Sequence, residues 1–174
     1  MDQESTRVSV KPLNLVVSIV GFVVIAIYGS VALAAQDWLW FMPGFSEKPV
    51  RILVFNAGKR TELTPGTTGF SVLSSAVVES LNRGAFRQSG IGLSEGSLQD
   101  AYNVYRSIEV YFSRPVKLHA AFNTFEPTVM LFPITGRHSE VPTVFFGSGG
   151  IYLSNSPVLN TIEPIRAALN TLGL

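Results

Sequence analysis

His119 and His138 are the only imidazoles in this 174-residue chain, and it contains no cysteine. A serine or threonine nucleophile needs an activating base within reach, and no Gly-x-Ser-x-Gly elbow presents one. Gly147-Ser148-Gly149-Gly150 lacks the lysine and the strand–loop–helix setting of a phosphate cradle, so it reads as a tight hairpin turn. Two histidines on separate segments supply too few ligands for a metal. The missing cysteines exclude a disulfide framework, a thiolate metal site and covalently attached c-type haem. Glu109 and Glu126 are the acids nearest the expected sheet, and no spacing sets them face to face as paired carboxylates. The expectation is a protein that is not an enzyme and carries no metal or cofactor.

The most polar knot is Thr135-Gly136-Arg137-His138-Ser139-Glu140, between two apolar segments. Arg137, His138 and Ser139 offer donors together, so with Glu140 they form a candidate binding loop for an anion or a partner. The competing reading is a solvated hairpin loop in which Arg137 pairs with Glu140. His119 alternates with apolar neighbours, which places it on the polar side of a strand beside Lys117, in a surface or cross-strand role.

Lysine and arginine number 13 against 12 aspartate and glutamate, so no net field attracts nucleic acid. Lys59-Arg60 is the nearest thing to a basic run. Low charge with many aromatics argues for a packed fold.

The element that decides most about this chain is the uncharged run at residues 13–35. At 1.5 Å per residue it reaches about 34 Å, enough for a hydrocarbon core of about 30 Å with some tilt. Trp38, Trp40 and Phe41 follow where an interfacial aromatic belt belongs. Ala32-Leu33-Ala34-Ala35 would suit a signal peptidase, but the apolar core of a signal peptide is about 7–15 residues. The run is longer and reads as a retained anchor. Arg7 and Lys11 precede it and the next basic residue is Lys48, which favours a cytoplasmic N-terminus and an outer-face domain.

On a helical wheel Asn14, Ser18, Gly21, Gly29 and Ala32 share one arc with Ile25, and Val16, Val17, Val20, Val23 and Val24 lie opposite. Small residues let two backbones approach, so this arc is the expected helix-packing face. Residues 1–12 form a short tail, 36–48 a juxtamembrane linker and 49–174 one domain.

Within that domain Val50–Asn56 and Arg60–Leu63 read as strands, and Phe70, Leu73, Val77 and Leu81 as the apolar stripe of a helix. Residues 82–92 read as loop, followed by a short helix capped near Ser94. Ile108, Val110 and Phe112 alternate with Ser107, Glu109 and Tyr111, which predicts a strand with one buried face. Val116–Phe122 alternates too and is expected as another strand. Thr128–Ile134 is apolar enough to be central. Thr143–Phe146 and Ile151–Leu153 should pair as a hairpin, and a helix with Leu159, Ile162, Ile165, Leu169 and Leu172 on one face should close the chain at Gly173. These patterns predict an α+β fold with a mainly antiparallel sheet and two or three helices on one face.

The expected function is that of an accessory subunit, packed by its anchor against other transmembrane subunits in the lipid bilayer. The alternative is a free-standing membrane-anchored sensing or ligand-binding domain.

Overall fold

β-branched and apolar residues at Arg51–Asn56 (β1) and a turn at Ala57-Gly58 bring Lys59–Leu63 (β2) back antiparallel, with Ile52 opposite Leu63. The computed structural model describes residues 12–42 and 44–174, and its fold is α+β. Arg7 and Lys11, on which the expected orientation rests, lie outside the described residues. The first helix is α1, Pro12–Ala35, and after β2 comes α2, Phe70–Asn82. Then follow β3 (Ala85–Gln88), α3 (Glu95–Asn103), β4 (Arg106–Tyr111), β5 (Val129–Pro133), β6 (Phe145–Ser148), β7 (Ile151–Tyr152), β8 (Pro157–Leu159) and α4 (Glu163–Thr171). By length and composition α1 can cross a membrane, as an anchor or as a signal sequence does.

Six strands form one antiparallel sheet in the order β2-β1-β4-β5-β6-β7, with β5 buried along its whole length near the centre. One face carries Ile52, Val54, Ile108, Val110, Met130, Phe132 and Phe146 against Leu73, Val77 and Leu81 of α2 and Ile165 and Leu169 of α4. This is the main core. Gly173 (φ 66°) ends α4 in the left-handed conformation, with the Leu174 amide bonded back to the Leu169 carbonyl. Gly149 and Gly150, both at positive φ, make the β6–β7 turn that the glycine cluster predicts.

Five expectations need correction. Val116–Phe122 forms no strand, although Val116, Leu118 and Ala120 are buried. The intervening Lys117 and His119 turn to the end of α1, so the alternation reports a half-buried extended segment without a ladder. Residues 82–92 are not all loop, because β3 pairs with β8 in a separate two-stranded sheet. Leu159 accordingly belongs to β8, and α4 starts at Glu163 with Pro164 tolerated in its first turn. Finally, β4 is covered on both faces: Ser107 and Glu109 are as buried as Ile108 and Val110. The helices do not share one face, since α3 lies across the second, with Ala101, Leu131 and Phe145 in a smaller apolar cluster there.

Candidate functional site

The C-terminal end of α1 is where the apolar helix meets the folded domain. Gln36 adopts φ 54°, and the amides of Gln36 and Asp37 bond to the carbonyls of Leu33 and Ala32 at 3.2 and 3.0 Å. This closes the helix as a Schellman motif, with glutamine standing where glycine is usual. The neighbouring side chains hold it there. Lys117 Nζ donates to the Gln36 carbonyl at 2.7 Å, and Asn123 Nδ2 donates to Gln36 Oε1 at 3.0 Å. Asp37, 6% exposed, meets His119 Nδ1 at 2.6 Å and accepts from the Leu39 amide at 2.9 Å. Burial pulls the Asp37 carboxyl up. The His119 bond, the Leu39 amide and the charges of His119 and Lys117 together outweigh it and hold the carboxyl below its ordinary value.

The chain then folds back along the helix. The Tyr28 hydroxyl donates to the Trp38 carbonyl at 2.6 Å, and its ring lies 6.1 Å from Trp38 and 5.9 Å from Phe41. Phe41 also meets Trp40 edge-on at 5.9 Å. Farther on, Phe45 is buried against Phe112 at 5.7 Å, and its amide bonds to Asn82 Oδ1. The helix is thus joined to the domain at two points, by its cap and by Phe45.

Asp37→Ala removes the acceptor for both His119 and the Leu39 amide. Hydrogen exchange at residues 36–39 is expected to speed up about tenfold, the equivalent of roughly 1.4 kcal/mol, while exchange in β4 and β5 stays unchanged. Because the folded-state carboxyl is depressed, its contribution is present at neutral pH. It fades as pH falls from 3.8 through the lower folded value.

Along α1, Asn14, Ser18 and Gly21 are exposed, Gly29 is half-buried and Ala32 is buried within the chain itself. The upper part of the small-residue arc therefore lies on the side where the chain folds back, and its lower part stands open. A Cβ added at Gly21 or Gly29 would meet nothing within 4 Å.

The 137–140 loop is held by bonds other than the Arg137–Glu140 pair of the competing reading. Among the described residues no ion pair joins Arg137 to Glu140. Ser139 Oγ donates to the Gly136 carbonyl at 2.7 Å, and Arg166 of α4 donates to the Ser139 carbonyl at 3.0 Å. His138 packs edge-on to Phe145 at 5.3 Å, and burial, then the Arg137 charge, push its imidazole below the usual value. His138 is thereby neutral at neutral pH and forms part of the packing, while Arg137 and Glu140 face solvent.

A further site carries residues that the sequence patterns did not single out together. On the second sheet face, Glu109 is 6% exposed and accepts from three tyrosines. Tyr102 of α3 donates to its Oε1 at 2.8 Å, Tyr111 donates to Oε2 at 2.7 Å, and Tyr152 of β7 donates to Oε1. Arg51 lies 3.9 Å over the Tyr111 ring, and Phe55 stacks on Tyr102 at 4.4 Å. These residues line a half-open cleft of about 420 Å³ with Arg60 on its rim. Burial and the adjacent carboxylate raise all three phenols, Tyr111 to about 12. They keep their protons at neutral pH and donate. The available signal was a strand whose second face read Ser107, Glu109, Tyr111 without one of the long lysines that mark a solvated face. Among the described residues, no group of three His, Asp or Glu could hold a metal ion.

No family model, curated protein or solved structure matches the chain.

Proposed function

We propose that this chain is a non-enzymatic, single-pass accessory subunit of a larger membrane protein complex. In this reading α1 is retained, the N-terminus is cytoplasmic and the domain stands on the outer face. The observation that carries the reading is the open lower arc of α1. Glycine inside a helix costs about 0.5–1 kcal/mol relative to alanine, yet Gly21 serves no packing need of the chain's own fold. It shares its face with exposed Asn14 and Ser18, and such small and polar residues favour close contact with a second helix. Retention of α1 is supported by the way its last turns enter the fold through Tyr28, Ala32 and Ala35. Two-point attachment also suits a domain that must hold one position within an assembly.

Gly21→Leu or Gly29→Leu should reduce the partner protein retained on affinity purification, because overpacking a close contact costs about 1–3 kcal/mol. Val20→Leu and Val24→Leu, on the opposite side, should retain wild-type amounts. Equal retention by all four would move the balance to the second reading, a membrane-anchored ligand-binding domain. That reading is favoured by the cleft at Glu109, where aromatic walls and two arginines surround a buried carboxylate.

A further inference from the structure

Four apolar side chains within five residues remain uncovered in a segment that is otherwise tightly held. Trp38, Leu39, Phe41 and Met42 are each half-exposed or more, although the backbone around them is bonded to Tyr28, Ala32 and Asp37. Ordered backbone with exposed apolar side chains is costly in water, and such a patch marks a surface that something covers. The patch adjoins Tyr28, and below Tyr28 at i−4 and i−8 along the same side of α1 stand the exposed Val24 and Val20. That continuity selects the occupant: whatever solvates α1 solvates the folded-back turn.

We infer that residues 38–42 lie in the boundary between lipid headgroups and acyl chains, beside α1 at the level of Tyr28. The hydrocarbon core then ends at Tyr28 and not at Ala35. This rests on the reading of α1 as a retained membrane helix. Tyr28 stands about 10 Å below the end of α1, and Pro12 to Tyr28 covers about 24 Å at 1.5 Å per residue. Against a core of about 30 Å, that length is about 6 Å short even with α1 upright, so the bilayer thins around it. The aromatic rings are then interfacial, with Tyr28, Trp38 and Phe41 as one cluster. The last turn of α1, with Gln36, Asp37 and His119, sits above them in the aqueous layer, where ionised groups are stable.

Trp38 and Trp40 are the only tryptophans, and there is no cysteine to interfere with labelling. The full chain in phosphatidylcholine vesicles therefore reports on this turn through its intrinsic fluorescence. A Trp40→Phe chain isolates Trp38. Its emission should be blue-shifted and insensitive to aqueous iodide. Most of it should be lost to lipids brominated near the glycerol, and less to lipids brominated near the terminal methyl. A nitroxide on Val20→Cys checks the anchor separately, and it should be accessible to oxygen and shielded from a water-soluble nickel complex. If the nitroxide is in lipid but Trp38 emits as in water and is quenched by iodide, the boundary inference is overturned and the patch belongs to a protein partner. Strongest quenching by bromines near the terminal methyl would place the turn deeper and overturn it too. A water-exposed nitroxide would remove the anchor reading and this inference with it.

Discussion

Replacing Glu109 with alanine is expected to destabilise the domain by about 2–4 kcal/mol. Each buried donor left without a partner costs about 1–3 kcal/mol, and the change strands the hydroxyls of Tyr102, Tyr111 and Tyr152 together. All three phenols are half-buried, so water recovers part of the loss. Glu109→Gln keeps one carbonyl acceptor and should cost less, about 1–2 kcal/mol, because charge-assisted bonds are replaced by neutral ones. Tyr152→Phe removes a single bond and should cost about 1 kcal/mol. The three variants, compared by denaturant unfolding of the detergent-solubilised chain, give a graded series. The carboxylate ties α3 and the edge strand β7 to β4, so the alanine variant should also lose near-ultraviolet tyrosine dichroism. Near-neutral behaviour of Glu109→Ala would mean the network is replaceable by water and that the cleft is free to bind something else.

Leu169→Ala and Ile165→Ala should each cost about 2–5 kcal/mol, the range for removing most of a buried aliphatic side chain from a packed core. Both residues are fully buried where α4 meets α2 and the main sheet face. The measurement is again the unfolding midpoint, with an unchanged denaturant slope showing that the loss is one of stability and not of compactness. A cost near zero at both positions would mean that α4 is peripheral to the core.

What could be read from the sequence follows how local the cause is. An unbroken uncharged run located α1, helical spacing located α2 and α4, β-branched and apolar runs located β1 and β5, the turn after β1 located β2 and alternation located β4, because each pattern belongs to one segment of the chain. The glycine pair at 149–150 located the β6–β7 hairpin for the same reason. Val116–Phe122 misled because alternation reports burial and not ladder bonding: its polar side chains face α1 from a distant part of the chain. β3 and β8 escaped because each is short and finds its partner about 70 residues away. The Glu109 network needed three elements to converge, and no single segment carries its mark. The elbow at Gln36 was hidden for a sharper reason. A left-handed glutamine is unusual, and only its bonds to Lys117 and Asn123 account for it.

That elbow has a mechanical consequence. Gln36 is seized on its carbonyl and its side chain, Asp37 on its carboxylate, and Phe45 is sunk in the core a few residues on. The joint therefore behaves as a welded bracket and not as a string. A few degrees of change in the inclination of α1 would swing the whole sheet through the same angle, and the displacement would grow with distance from the joint. Turning the helix about its long axis would carry the Glu109 cleft around with it, so the direction in which that cleft faces is fixed by how the helix is seated.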